Sequence, residues 1–91
     1  MISLQVFYEG RVQGVGFRFT VRHIAKGFDV TGWVRNLPDG RVELQVTGQE
    51  DEVRAFLDQL AESELHSLIR KQIENKVNKT VTGRGFEIRH D

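Results

Sequence analysis

The chain has 91 residues, no cysteine, and thirteen Lys and Arg against thirteen Asp and Glu. A chain this short hides only roughly 60 to 65% of its unfolded surface, so residues 1–91 are expected to form a single domain. The lack of cysteine excludes a disulfide-stapled module, a thiolate zinc site and attack through a cysteine nucleophile. Zero formal charge gives no bulk field toward nucleic acid or anionic lipid. With no basic-then-apolar leader and no run of ~20 apolar residues, the expected location is cytoplasmic.

From Ile2 to Tyr8 apolar side chains alternate at Ile2, Leu4, Val6 and Tyr8, the period of a strand with one buried face, and Gly10 ends it. Phe17, Val21, Ile24, Ala25 and Phe28 then fall at helical spacing, with Arg22, His23 and Lys26 on the other side and Gly27 as the stop. Val30 to Asn36 and Arg41 to Thr47 are two strands. In the second, Val42, Leu44 and Val46 alternate with Glu43, Gln45 and Thr47. Pro38-Asp39-Gly40 turns one into the other. Val53, Phe56, Leu57 and Leu60 mark a second helix, and Glu50, Asp51 and Glu52 supply the negative charge its N-terminus favours.

From Ala61 to Val77 the two periods compete. Leu65, Leu68, Ile69, Ile73 and Val77 are spaced more like a helix, and a strand within Leu68 to Val77 is expected from topology and resemblance rather than pattern. Phe86 and Ile88 alternate with Glu87 and Arg89 as a last short strand after Gly83 and Gly85. The element order predicts an α+β fold, a ferredoxin-like βαββαβ two-layer sandwich with an antiparallel sheet and two helices on one face. A right-handed crossover makes the first and second strands parallel, so the loop after Gly10 and the strand end at Asn36 reach the same sheet edge.

That loop, Gly10-Arg11-Val12-Gln13-Gly14-Val15-Gly16-Phe17-Arg18, enters a helix with no Ser, Thr, Asp or Asn at a plausible N-cap. Its glycines let backbone N–H groups converge, and the first helical N–H groups are orphan donors at a positive dipole end. Arg18 adds charge there, and a tetrahedral oxyanion reconciles these features. Phe19 stands where a dinucleotide-binding loop needs its third glycine, and the loop lacks the Lys followed by Ser or Thr that a P-loop requires. Gly14 to Phe19 has some likeness to an RNA-binding strand motif on the same fold, but helical spacing already begins at Phe17.

Gly10 to Arg18, followed by Gly32-Trp33-Val34-Arg35-Asn36 and the Asp39-Gly40 turn, resembles the acylphosphatase family, closely through about Leu60. The resemblance implies metal-independent hydrolysis of the carboxyl-phosphate bond of acyl phosphates by direct attack of water, without a cofactor or bound metal. It implies phosphate binding by Gln13, Gly14, Val15, Gly16, Phe17 and Arg18, with Arg18 and Asn36 as the catalytic pair. Asn36 corresponds to the residue that positions the attacking water. After the second helix such proteins often carry a Gly-Pro-Pro-like turn; here Glu62-Ser63-Glu64-Leu65-His66 stands instead.

The expected partners are a small-molecule acyl phosphate and inorganic phosphate, the latter as product and competitive ligand, with no nucleic acid or membrane; the expected state is a monomer. The alternative is a non-catalytic phosphate- or RNA-binding module. His23, His66 and His90 lack metal-ligand spacing and are assigned no role. Trp33 and Phe7 read as sheet packing and Arg11 and Arg35 as solvated charges.

Overall fold

The computed structural model describes residues 1–83 and 85–90. Its elements are β1 (Ile2–Gly10), α1 (Phe17–Ala25), β2 (Val30–Asn36), β3 (Val42–Gly48), α2 (Glu50–Glu62), β4 (Ile69–Val77) and β5 (Phe86–Arg89). The strands form one sheet in the order β4-β1-β3-β2-β5. Leu4, Val6 and Tyr8 of β1 lie opposite Val46, Leu44 and Val42 of β3, and Val34 of β2 lies opposite Leu44. All belong to one buried face, where Phe17, Val21 and Ala25 of α1 and Val53, Phe56, Leu57 and Leu60 of α2 complete the core. The ferredoxin-like two-layer arrangement is thus present.

The sheet is mixed rather than wholly antiparallel, because β5 pairs parallel to β2. Connectivity forces this. Val77, the end of β4, lies opposite Ser3, and Ser3 and Thr31 both face Thr47, so β4 finishes at the end of the sheet where β2 begins. A strand entering the free β2 edge from there must run with it. To reach that edge the chain crosses the face opposite the helices. The Val81 N–H donates to Thr47 Oγ1 (3.0 Å), Thr31 Oγ1 donates to the Val81 carbonyl (2.8 Å), and Gln45 Nε2 donates to the Lys79 carbonyl (3.2 Å). The crossing explains why Gln45 and Thr47 are buried although their alternation reads as a wet face.

The segment after α2 is neither a helix extension nor all strand. Ser63 Oγ donates to the Leu60 carbonyl and accepts from the Leu65 N–H, ending α2 and opening a 3-10 turn over Glu64–Leu68. In β4, Ile73 lies opposite Phe7 and Val77 opposite Ser3, on the sheet face turned from the helices. At the other edge, Gly32 sets how closely β5 docks. A Cβ there would stand 2.2 Å from the Gln45 carbonyl oxygen and 2.6 Å from the Phe86 ring. The bare backbone lets Phe86 lie on β2 and reach Phe56, with ring centroids 5.6 Å apart.

Tyr8 packs against Phe17, ring centroids 5.3 Å apart, and its buried hydroxyl has no hydrogen-bond partner among the described residues. Burial pushes its proton affinity well above the ordinary tyrosine value, and the Glu74 carboxylate acts in the same direction. Above pH ~10 the unfolded chain releases this proton while the folded chain keeps it. Folding then takes up a proton, and stability falls as pH rises, by at most about 1.4 kcal/mol per unit. Tyr8→Phe removes both the unpaired hydroxyl and this linkage. Its melting temperature is expected to match or exceed wild type at pH 7, with a margin that grows between pH 10 and 11. Melts of the two proteins across that range check it; a constant margin contradicts it.

Candidate active site

β1 and β2 both run antiparallel to β3, and Tyr8 and Asn36 flank the same residue, Val42, from its two sides. The loop that leaves β1 and the end of β2 therefore meet at one rim, as the crossover argument requires. Val12 is fully buried and anchors the loop. Gln13 fixes its far side, donating through Nε2 to the carbonyls of Leu37 (2.8 Å) and Arg41 (2.9 Å) in the β2–β3 turn. That turn is itself braced: the Asp39 carboxylate accepts from the Arg41 N–H (3.0 Å) and Nε (2.8 Å). The Arg41 N–H bond foremost holds the Asp39 carboxyl below its usual range.

Beyond Gln13 φ is +74° at Gly14 and +76° at Gly16, and among the described residues none other than glycine has positive φ. Left-handed residues alternating with an ordinary one turn successive N–H groups toward a common concavity. A Cβ at either glycine would meet nothing, so conformation, not space, requires glycine here. Gly16 is the N-cap of α1 without any side-chain cap, and the first turn holds no acid. Among the described residues, none accepts from the N–H groups of Gly14 to Arg18. Donors left open at a helix start form a cradle that can take an anion.

A cavity of about 400 Å³ opens over this cradle. Of the expected site residues, Gly14, Gly16, Phe17, Arg18 and Asn36 line it together; Gln13 and Val15 do not. Gln13 is spent on the turn, and Val15 is exposed beside the opening. The half-buried Asn36 carboxamide makes no hydrogen bond to any described residue, so its donor and acceptor atoms are free for solvent. Arg18 is held from behind by the end of β5: Nη1 donates to the Arg89 carbonyl (3.3 Å) and lies 3.3 Å from His90 Nδ1. Nε and Nη2 remain for a ligand.

His90, Phe19, Arg22 and Ile88 also line the cavity, and none was expected there. For Arg22 the signal was present, since it follows Arg18 by four residues, one helical turn. For His90 there was none, because only the parallel docking of β5 brings it to this rim. Trp33 and Phe7 lie away from the cavity as stacking partners: the Arg35 and Arg89 guanidiniums sit 5.1 and 4.6 Å from the Trp33 ring, and Arg41 sits 4.5 Å from Phe7. Arg35 also pairs with the buried Glu43, so it is not simply a solvated charge.

The acylphosphatase family pattern matches residues 4–88. The chain belongs to the acylphosphatase family. It is 43% identical over 77 residues to the acylphosphatase of Geobacillus thermodenitrificans, covering 84% of this chain and 82% of that protein. It is 34% identical to that of Methanospirillum hungatei over 91 residues, the full length of both. The crystal structure of acylphosphatase from Bacillus subtilis superposes with a TM-score of 0.86 at 31% identity, over 97% of this chain and 98% of that one. Two helices on one face of the sheet are thus the acylphosphatase architecture, and the uncapped helix start with Arg18 and Asn36 occupies one end of it.

Proposed function

We propose that the chain hydrolyses the carboxyl-phosphate bond of small-molecule acyl phosphates by direct attack of water, the cradle at the start of α1 being its active site. The observation that carries this is the meeting of Arg18, Asn36 and the open N–H groups in one cavity, in a chain that matches the acylphosphatase family over residues 4–88. The guanidinium fork takes two phosphoryl oxygens, and the loop amides take what the fork leaves. The Asn36 carboxamide orients water in line with the leaving carboxylate. The water oxygen bonds phosphorus, the phosphorus–acyl oxygen bond breaks with its electron pair going to the carboxylate, and the proton passes to a phosphoryl oxygen. Asn36 is neutral and no strong base is needed, because a carboxylate departs readily.

The fixed guanidinium and the helix dipole supply the charge stabilisation that other phosphoryl-transfer enzymes draw from metal ions. Purified protein is therefore expected to release phosphate from benzoyl phosphate in excess chelator, with inorganic phosphate inhibiting competitively. Rapid quench is expected to find no phosphorylated side chain. Absent turnover with tight, salt-sensitive RNA binding would replace the hydrolase by a binding module. Zero net charge supports a free small molecule rather than a nucleic acid as partner. No helix among the described residues is long and apolar enough to cross a membrane. The chain acts in this reading as a cytoplasmic monomer, and one continuous core supports a single domain.

A further inference from the structure

We infer that Arg22, braced on Phe19, determines substrate specificity by binding a carboxylate at the far end of the acyl group, a role that rests on the acyl phosphate chemistry proposed above. Arg18 and Arg22 rise from the same face of α1, roughly 6 Å apart along its axis. Both line the cavity, and none of the residues lining it is acidic. The two arginines differ in what they hold. Arg18 is tied to β5, whereas the Arg22 guanidinium lies 5.2 Å from the Phe19 ring centroid and has no hydrogen-bond or ion-pair partner among the described residues.

A cation stacked on an aromatic face keeps the N–H edge of its plane available while giving up side-chain freedom. Phe19 is 65% exposed, which is much apolar surface to leave at the mouth of a polar site. With the phosphoryl group fixed at the cradle and Arg18, the acyl portion must lie along the remaining walls, Val12, Phe19, Ile88, His90 and Arg22. An apolar spacer matches Val12, Phe19 and Ile88, and an anion at its end matches Arg22, since His90 already lies beside Arg18 at 3.3 Å. The substrate class is therefore a dicarboxylic acid phosphorylated on one carboxyl, with several ångströms of apolar chain or ring between the two ends.

The test compares 4-carboxybenzoyl phosphate with its neutral isostere 4-carbamoylbenzoyl phosphate, rigid compounds that place the second group at one fixed distance. The wild-type chain is expected to favour the carboxylate in kcat/KM by roughly tenfold at low salt, falling as salt is added. Arg22→Gln is expected to bring the ratio to about one and Arg22→Lys to restore part of it. Lys26→Gln removes a charge at the C-cap of the same helix, outside the cavity, and is expected to keep the wild-type ratio. A wild-type ratio of one, a preference that survives Arg22→Gln, or equal loss in Lys26→Gln would each overturn the assignment. Hydrolysis of neither compound by wild type would overturn the acyl phosphate chemistry itself, and Arg22's role with it.

Discussion

Arg18→Lys is expected to lower kcat/KM for acyl phosphate hydrolysis by roughly a hundred- to a thousandfold, with the melting temperature within a few degrees of wild type. The substitution keeps the charge and removes the plane. In the folded chain Nη1 is already committed to the Arg89 carbonyl and lies beside His90 Nδ1, at 3.3 Å each. That leaves Nε and Nη2 in a fixed relation to the loop amides, able to take two phosphoryl oxygens at once. A lysine ammonium can meet the Arg89 carbonyl or the phosphoryl group, and its three donors rotate freely about the last carbon. The transition state, where charge spreads over the equatorial oxygens, loses more than the ground state does, so kcat should fall more than KM rises. Stability should hold because Arg18 is half-buried at a helix start and contributes no apolar core surface. Steady-state kinetics with a thermal melt of the same preparation decide it. Activity within threefold of wild type would remove Arg18 from the chemistry.

Much of this site was legible because it depends on local patterns and one topological rule. Alternation in β1 and helical spacing from Phe17 locate the loop, and the crossover places Asn36 on its rim without any contact being known. What was not legible depends on distant pairing. Ile73 and Val77 lie four apart, a spacing that satisfies a helix and is also an even number, so they share a strand face, while a register shift opposite Glu9 and Gly10 turns Ile69 to the core side. Only the free edge of β1 chooses between the two. Likewise, nothing in Phe86 to His90 says that these residues enter the sheet parallel to β2. That follows from where β4 ends and from the crossing that buries Gln45 and Thr47. His90 reaches Arg18 as a consequence of that long path, which is why an isolated histidine in the sequence carried no signal.

Asn36→Ala isolates the other half of the mechanism. Its expected signature differs from that of Arg18: kcat falls by roughly a hundredfold, while KM and the inhibition constant for inorganic phosphate stay within about twofold. The carboxamide lies at the end of β2, makes no hydrogen bond to any described residue, and faces the cavity across from the helix start. It therefore has both an acceptor and donors to spare for one water molecule, which must approach phosphorus opposite the departing carboxylate. Losing it frees the water to adopt many orientations without altering the grip on phosphate. Asn36→Asp sharpens the point, since it has the same shape and can accept a proton. If a base were the missing ingredient it would retain or raise activity. Because the requirement is orientation beside a dianionic group, the added negative charge is expected to repel the phosphoryl oxygens and leave this variant below Asn36→Ala. A rise in KM and in the phosphate inhibition constant with kcat preserved in Asn36→Ala would mean that the carboxamide holds substrate instead of water.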